Sequence, residues 1–189
     1  MVKNNIRKSL LKQGQLLSNE FITDKNQIIQ TAAINKINIR ASKNNLLYFP
    51  FRSEVAIDLI KNELIKYSNN IYVPRVISKT KMKFNLLTDK DCIKKNKYGI
   101  KEIINEKFLD PSLFNTMFIP FVGVDASGYR LGYGGGYFDR ALSDLSIYKS
   151  KPIVVGLGYD YQVLDSSFGE PHDIKYDIVI TERRILSFS

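Results

Sequence analysis

Short apolar runs alternate along this chain with segments whose apolar residues recur every three to four positions, a rhythm that predicts alternating strands and helices. Residues 2–17 carry apolar side chains at 2, 6, 10, 11 and 17, which fits one helix face, and Ser18 is placed to cap a second helix. Asn45 to Pro50 predicts a strand, Glu54 to Tyr67 a helix and Ile71 to Pro74 another strand. Residues 81–86 alternate polar and apolar as a half-buried strand does. A buried strand is expected at 116–120, then a loop, then a helix over 137–146 with apolar positions at 137, 138, 141, 142 and 145. Pro152 to Gly158 and Tyr176 to Thr181, both rich in β-branched residues, predict the last strands. The expected fold is α/β, with three layers (α/β/α), a mostly parallel, Rossmann-like sheet and an N-terminal helical segment. It forms a single domain over residues 1–189.

Composition narrows the function. The 189 residues are 44% hydrophobic, enough for a real core, and 28 Lys and Arg against 19 Asp and Glu give a net charge of +9. The basic residues are scattered among many Asn and Ile, a pattern of AT-biased coding rather than of a nucleic-acid surface, so no nucleic-acid partner is expected. The excess charge would still attract a polyanionic small substrate. No stretch approaches the ~18 apolar residues of a membrane span and the N-terminus lacks a signal-peptide core, so the expected location is the cytoplasm, away from membranes. The lone Cys92 excludes an intrachain disulfide and a thiolate metal cluster, and nothing in the sequence pairs it with the lone His172 for catalysis.

The candidate chemistry is concentrated between Tyr129 and Arg140. Gly132, Gly134, Gly135 and Gly136 let backbone N–H groups approach a bulky anion, Arg130 and Arg140 add fixed positive charge, and Asp139 offers a hard oxygen suited to Mg²⁺. The segment fits neither common nucleotide fingerprint. Tyr137 and Phe138 stand where a P-loop needs Lys and Ser or Thr, and Tyr137 replaces the last glycine of G-x-G-x-x-G. A glycine-rich surface turn is the plainer reading. Its setting, after a strand and before a helix, favours phosphate binding.

Three more sites gain weight around that loop. Lys3 and Arg7 lie four apart on the first predicted helix and would reach one phosphate group jointly, or be solvated surface. Phe49, Phe51 and Glu54 follow a strand and combine aromatics with a carboxylate, as a flat heterocycle requires, or else form a loop with core aromatics and a capping acid. Asp173 and Asp177 precede the last strand, and one of them would complete a metal site with Asp139, or both are ordinary loop acids.

Taken in order, these residues resemble the 5-formyltetrahydrofolate cyclo-ligase family. The resemblance is carried by Gly123-Val-Asp125-Ala-Ser-Gly-Tyr-Arg130-Leu-Gly-Tyr-Gly-Gly-Gly-Tyr-Phe-Asp139-Arg140. It extends to Lys3 with Arg7, Phe49-Pro-Phe51 with Glu54, Pro74-Arg75, Tyr98-Gly99-Ile100 with Glu102, and Asp173 with Asp177. It implies a cyclisation of 5-formyltetrahydrofolate that uses ATP and Mg²⁺ and needs no side-chain nucleophile. It further implies an ATP site of Lys3, Arg7, Arg130, Leu131, Gly132, Tyr133, Gly134, Gly135, Gly136, Tyr137 and Phe138. The implied folate site is Phe49, Phe51, Glu54, Gly134, Gly135, Gly136 and Tyr137, with Asp139 and Asp173 holding the metal and Arg130, Gly134, Gly135 and Tyr137 at the reacting atoms. The partner is then a small folate, with one or several glutamates, and the protein a monomer or weak dimer. Val124, Ile57, Lys101, Asn115 and Phe138 depart from the family's usual residues, and Phe138 is assigned to packing. A sugar-phosphate isomerase of similar layout, and an inactive or RNA-binding relative, are the alternatives; intact Lys3, Arg7, Glu54, Arg130 and Asp139 argue against loss of activity.

Overall fold

The structure, a computed structural model, describes residues 2–88, 93–148 and 150–188; Cys92, with the expectation attached to it, lies outside them. Two helices open the chain, α1 (Val2–Gln15) and α2 (Asn19–Lys36), and Ser18 caps the second by accepting the Phe21 N–H on its Oγ at 3.1 Å. They are followed by β1 (Asn44–Leu46), α3 (Asp58–Lys66), β2 (Asn70–Val76), β3 (Met82–Leu86) and a hairpin of β4 (Ile93–Lys95) and β5 (Lys101–Ile103). Next come β6 (Thr116–Pro120), a ribbon of β7 (Gly123–Val124) and β8 (Arg130–Leu131), α4 (Tyr137–Ala141), β9 (Ile153–Leu157), β10 (Ile178–Ile180) and β11 (Ile185–Ser187).

Among the described residues the main sheet has seven strands in the order β11-β10-β9-β6-β1-β2-β3. The five inner strands are parallel and both edges, β3 and β11, are antiparallel. Parallel strands bury both faces, which is why β6 is apolar almost throughout and wholly buried. Phe118, Val155 and Ile180 pack with Ile29, Ile60 and Leu64 of α2 and α3, while Met117, Ile119, Val154 and Val179 pack with Phe138, Leu142 and Leu145. Helix α1 is held apart from these cores by a small cluster in which Leu10 meets Val122 and Leu131. Burial of Leu10, worth about 2 kcal/mol, thereby fixes Lys3 and Arg7 over the β7–β8 ribbon.

Four local expectations change, the first being that the strand expected to reach Pro50 ends at Leu46. The helix after the glycine loop ends at Ala141 instead of 146, because Leu142 turns to φ −120° and ψ 19°; a short 3₁₀ turn at Leu145–Ile147 still buries Leu145. Helix α3 starts at Asp58, which leaves Glu54 in the loop before it. Strand β3 does not alternate strictly, since Phe84 and Asn85 are both buried where the 107–109 segment pairs alongside.

Candidate active site

The chain runs from β1 outward to β2 and β3, then returns to the opposite side of β1 to make β6, β9 and β10. The loops leaving the carboxyl ends of β1 and β6 therefore diverge, and the crevice between them is where an open α/β sheet binds ligands. The β1 loop carries Phe49, Phe51 and Glu54, and the segment after β6 carries Arg130 to Asp139. Together with α1, the β4–β5 hairpin and residues 170–175 they wall a cleft of about 1130 Å³, more than one drug-sized ligand fills.

Glu54 lies on the β1 side. Its Oε2 accepts the Phe51 N–H at 2.8 Å, and the Tyr48 hydroxyl fixes the loop by donating to Val55 O at 2.8 Å. Burial pushes the Glu54 carboxyl up to about 8, against the pull of the Phe51 N–H and the Arg130 charge. Phe51 meets Tyr133 edge-on with ring centroids 5.8 Å apart, making an aromatic wall across the cleft.

Arg130 is only 6% exposed and works in three directions. Its Nε donates to Pro120 O at 2.8 Å, Nη1 lies 3.6 Å from Asp139 Oδ2, and the guanidinium sits over the Phe138 ring at 5.1 Å. Arg7 arrives from α1 and donates through Nε to Gly132 O at 2.7 Å. Burial and then the Arg130 charge hold the Arg7 guanidinium below its ordinary range. Two like charges thus flank the glycine loop, with Asp139 beside Arg130 and Asp173 near Arg7 as the opposing carboxylates. A Cβ on Gly132 would lie 2.5 Å from Arg130 Nη1, so a side chain there would displace the guanidinium. Gly134, at φ +97°, occupies backbone space closed to most other residues and lies beside the Arg7 guanidinium.

On the α1 side, Lys3 Nζ contacts Asp173 Oδ2 at 2.6 Å and Glu170 Oε2 at 2.7 Å. Burial opposes the Lys3 charge, but these two bonds outweigh it and raise the group above its ordinary value. Asp173 and Asp139 both line the cleft with different partners. Asp139 Oδ1 accepts the Ile174 N–H at 3.4 Å and Oδ2 faces Arg130, whereas Asp173 Oδ2 accepts the Glu170 N–H at 2.8 Å. Glu170, His172 and Asp173 bring possible ligand atoms within 4.8 Å of one another, and Asp139 stands outside that group. Asp177 is spent elsewhere, on the Val154 N–H at 2.7 Å and Lys151 at 3.2 Å.

Not every predicted residue faces the cavity with its side chain. Leu131 packs under α1 with Leu10, and Phe138 packs on Phe84 in the second core. Helix α4 has five residues, so its dipole is short, and the positive charge at the loop comes from the Arg7 and Arg130 guanidiniums more than the strand-loop-helix pattern suggests. Sequence reasoning missed Glu170, whose only signal was its place three residues before Asp173. It also missed the bracing by Arg140, which donates to Gly135 O at 2.8 Å and Thr80 O at 3.2 Å.

Asp125 shows how the loop is aimed. Fully buried, it accepts four backbone N–H groups, from Ser127, Tyr129, Phe168 and Gly169, at 2.8–3.0 Å. Burial would raise its carboxyl, yet those four bonds hold it below the ordinary range. It ties the β7–β8 turn to the 168–169 segment just before Arg130. Asp125→Ala is expected to cost about 3 kcal/mol or more by leaving buried N–H groups unpaired, read as a lower urea midpoint with an unchanged m-value. A midpoint within error of the parent protein would refute that role. Because the folded carboxyl is depressed, its contribution is present above the unfolded value and fades as pH falls through the folded one.

A cleft at the switch point of a mostly parallel sheet, with two arginines around a glycine loop and a carboxylate among aromatics opposite, is the arrangement of an α/β enzyme's ligand site. The model of the 5-formyltetrahydrofolate cyclo-ligase family matches residues 1–182, and the chain belongs to that family of enzymes. It is 31% identical over 160 residues to the 5-formyltetrahydrofolate cyclo-ligase of Haemophilus influenzae, covering 82% of this chain and 84% of the relative. With the Mycoplasma genitalium 5-formyltetrahydrofolate cyclo-ligase it shares 29% identity, over 94% of this chain and 96% of the other. Among solved structures, the Aquifex aeolicus 5,10-methenyltetrahydrofolate synthetase superposes with a TM-score of 0.84 at 26% identity, covering 99% of this chain and 93% of that one. The Mycoplasma pneumoniae 5,10-methenyltetrahydrofolate synthetase gives 0.78 at 26% identity, covering 96% and 99%. Among the described residues no helix is long and apolar enough to cross a membrane.

Proposed function

We propose that the protein closes 5-formyltetrahydrofolate to 5,10-methenyltetrahydrofolate at the expense of ATP, with Mg²⁺, releasing ADP and phosphate. The formyl carbon is an amide carbon whose oxygen is a poor leaving group, so N10 cannot displace it unaided. The formyl oxygen attacks the γ-phosphorus of ATP, forming the O–P bond as the bond to ADP breaks. N10 then attacks the activated carbon, its proton is lost, and the C–O bond breaks to release phosphate. The protein's contribution is alignment and charge stabilisation.

The observation that carries this reading is the pair of guanidiniums, Arg7 and Arg130, facing each other across the Gly132–Gly134 segment. They suit the phosphates, and Lys3 stands next to them on α1. Glu54 accepts N–H donors of the pterin, between Phe49, Phe51 and Tyr133, so the two substrates meet at Gly134 to Tyr137. The donor chemistry also fits a hard divalent cation, since the carboxylates of Asp139 and Asp173 line the same cleft with Glu170 beside Asp173. When bound, Mg²⁺ would neutralise charge on phosphate oxygens, held by Asp139 and Asp173.

Thermal shift tests the two half-sites separately. ATP with Mg²⁺, and 5-formyltetrahydrofolate, are each expected to raise the melting temperature by about 5–10 °C at a hundredfold excess over Kd. Arg7→Ala should abolish most of the ATP shift and leave the folate shift unchanged. Equal loss of both, or of neither, would contradict the division of the cleft.

A further inference from the structure

The β4–β5 hairpin overhangs the cleft with Asn96, Tyr98 and Glu102 in its wall. Two strands of three residues, one of them fully exposed, do not hold a shape alone. Glu102 supplies the anchor. It is 6% exposed, forms no ion pair among the described residues, and its Oε1 accepts both the Val76 N–H of β2 and Asn96 Nδ2, each at 2.8 Å. Asn96 uses the other end of its amide for the turn, where Oδ1 accepts the Tyr98 N–H at 2.9 Å and the Ile100 N–H at 3.1 Å. This donor and acceptor pattern fixes which way the amide points. At the tip, the Tyr98 hydroxyl lies 3.2 Å from that of Tyr137, with ring centroids 6.4 Å apart. A line of hydrogen bonds running through Tyr98 thus joins the end of β2 to the residue that closes the glycine loop.

We propose that Glu102 and Asn96 are positioning residues for the folate half of the cleft, holding the hairpin turn so that Tyr98 meets Tyr137 and the mouth shuts on the bound folate. The inference rests on the reading of the cleft given above. Glu102 and Asn96 do not touch the reacting atoms; they act through Tyr98. Their loss therefore moves folate binding, with chemistry and ATP binding left alone.

The test is steady-state kinetics with Asn96→Ala, Glu102→Ala, Glu102→Gln and Tyr98→Phe. The KM for 5-formyltetrahydrofolate is expected to rise about tenfold in Asn96→Ala and Glu102→Ala, the weight of the Tyr98–Tyr137 hydrogen bond they hold in place, with kcat and the KM for ATP within about twofold. Glu102→Gln keeps an acceptor oxygen and should restore nearly parental values. Tyr98→Phe should raise the same KM, and combining it with Asn96→Ala should add almost nothing, because both cut one line. Parallel changes in kcat and both KM values, full additivity, or no change would overturn the proposal. Hydrogen exchange supplies a readout free of activity. In Asn96→Ala, segment 93–103 should exchange faster at an unchanged melting temperature, and parental exchange there would overturn it. If the parent protein does not turn over folate at all, the reading of the cleft fails first, and the proposal falls with it.

Discussion

Arg130→Lys is expected to lower turnover by about 10²–10³-fold while the protein stays folded. The guanidinium holds Pro120 O and faces Asp139, and in the proposed reaction its rigid fork would reach a phosphoryl group at the same time; an ammonium is a single point charge and cannot. Loss of one such preorganised donor is worth about 3–4 kcal/mol in the transition state. Arg130→Ala should be worse in a second way. A side chain 6% exposed and facing Asp139 leaves a void and an unpaired acid when removed. A stability loss of about 3 kcal/mol accompanies the loss of activity. Steady-state rates and melting temperatures on both variants separate the effects, and an Arg130→Lys enzyme within about twofold of the parent would remove Arg130 from the chemistry.

The second large effect belongs to Glu54. With its carboxyl at about 8, the free enzyme holds it protonated at neutral pH, while the proposed pterin contact, in which Glu54 accepts N–H donors, would favour the carboxylate. Folate binding should therefore release about one proton near pH 7, visible as a buffer-dependent enthalpy in calorimetry. Affinity should strengthen by up to about tenfold per pH unit up to about 8 and level off above it. Glu54→Gln should flatten this profile, and Glu54→Ala should weaken folate binding about 10²–10³-fold through two lost charged hydrogen bonds. Stability of the free enzyme moves the other way. The folded value is raised above the ordinary 4.5, so the group's contribution is complete below 4.5 and is lost as pH rises towards 8. A flat affinity profile in the parent protein would contradict this assignment.

How much of this was legible in the sequence depends on how local each feature is. The 116–120 strand, the glycine loop and the Ser18 cap are written in contiguous residue types, and the structure has them where the pattern predicts. The length of α4 was not legible, because Leu142 and Leu145 keep helical spacing while burying through a turn and a 3₁₀ segment. The β4–β5 hairpin has no hydrophobic period at all, Ile93, Lys94 and Lys95 being exposed in succession. Asp125 reads as part of a glycine-rich signature, yet its four backbone partners include two more than forty positions away. Lys3 and Asp173 lie 170 positions apart and meet only because Leu10 seats α1 on the ribbon. Spacing cannot encode such pairings; the tertiary fold creates them. The family resemblance bridged that gap for the fold and enzyme class.

The central claim is that this cleft couples ATP cleavage to ring closure of a formylated folate. The most direct measurement mixes purified protein with 5-formyltetrahydrofolate, Mg²⁺ and ATP and follows the near-ultraviolet absorbance of the methenyl product. The expected result is an absorbance rise that requires ATP and is matched mole for mole by ADP. No ATP-dependent rise from a folded protein would contradict it.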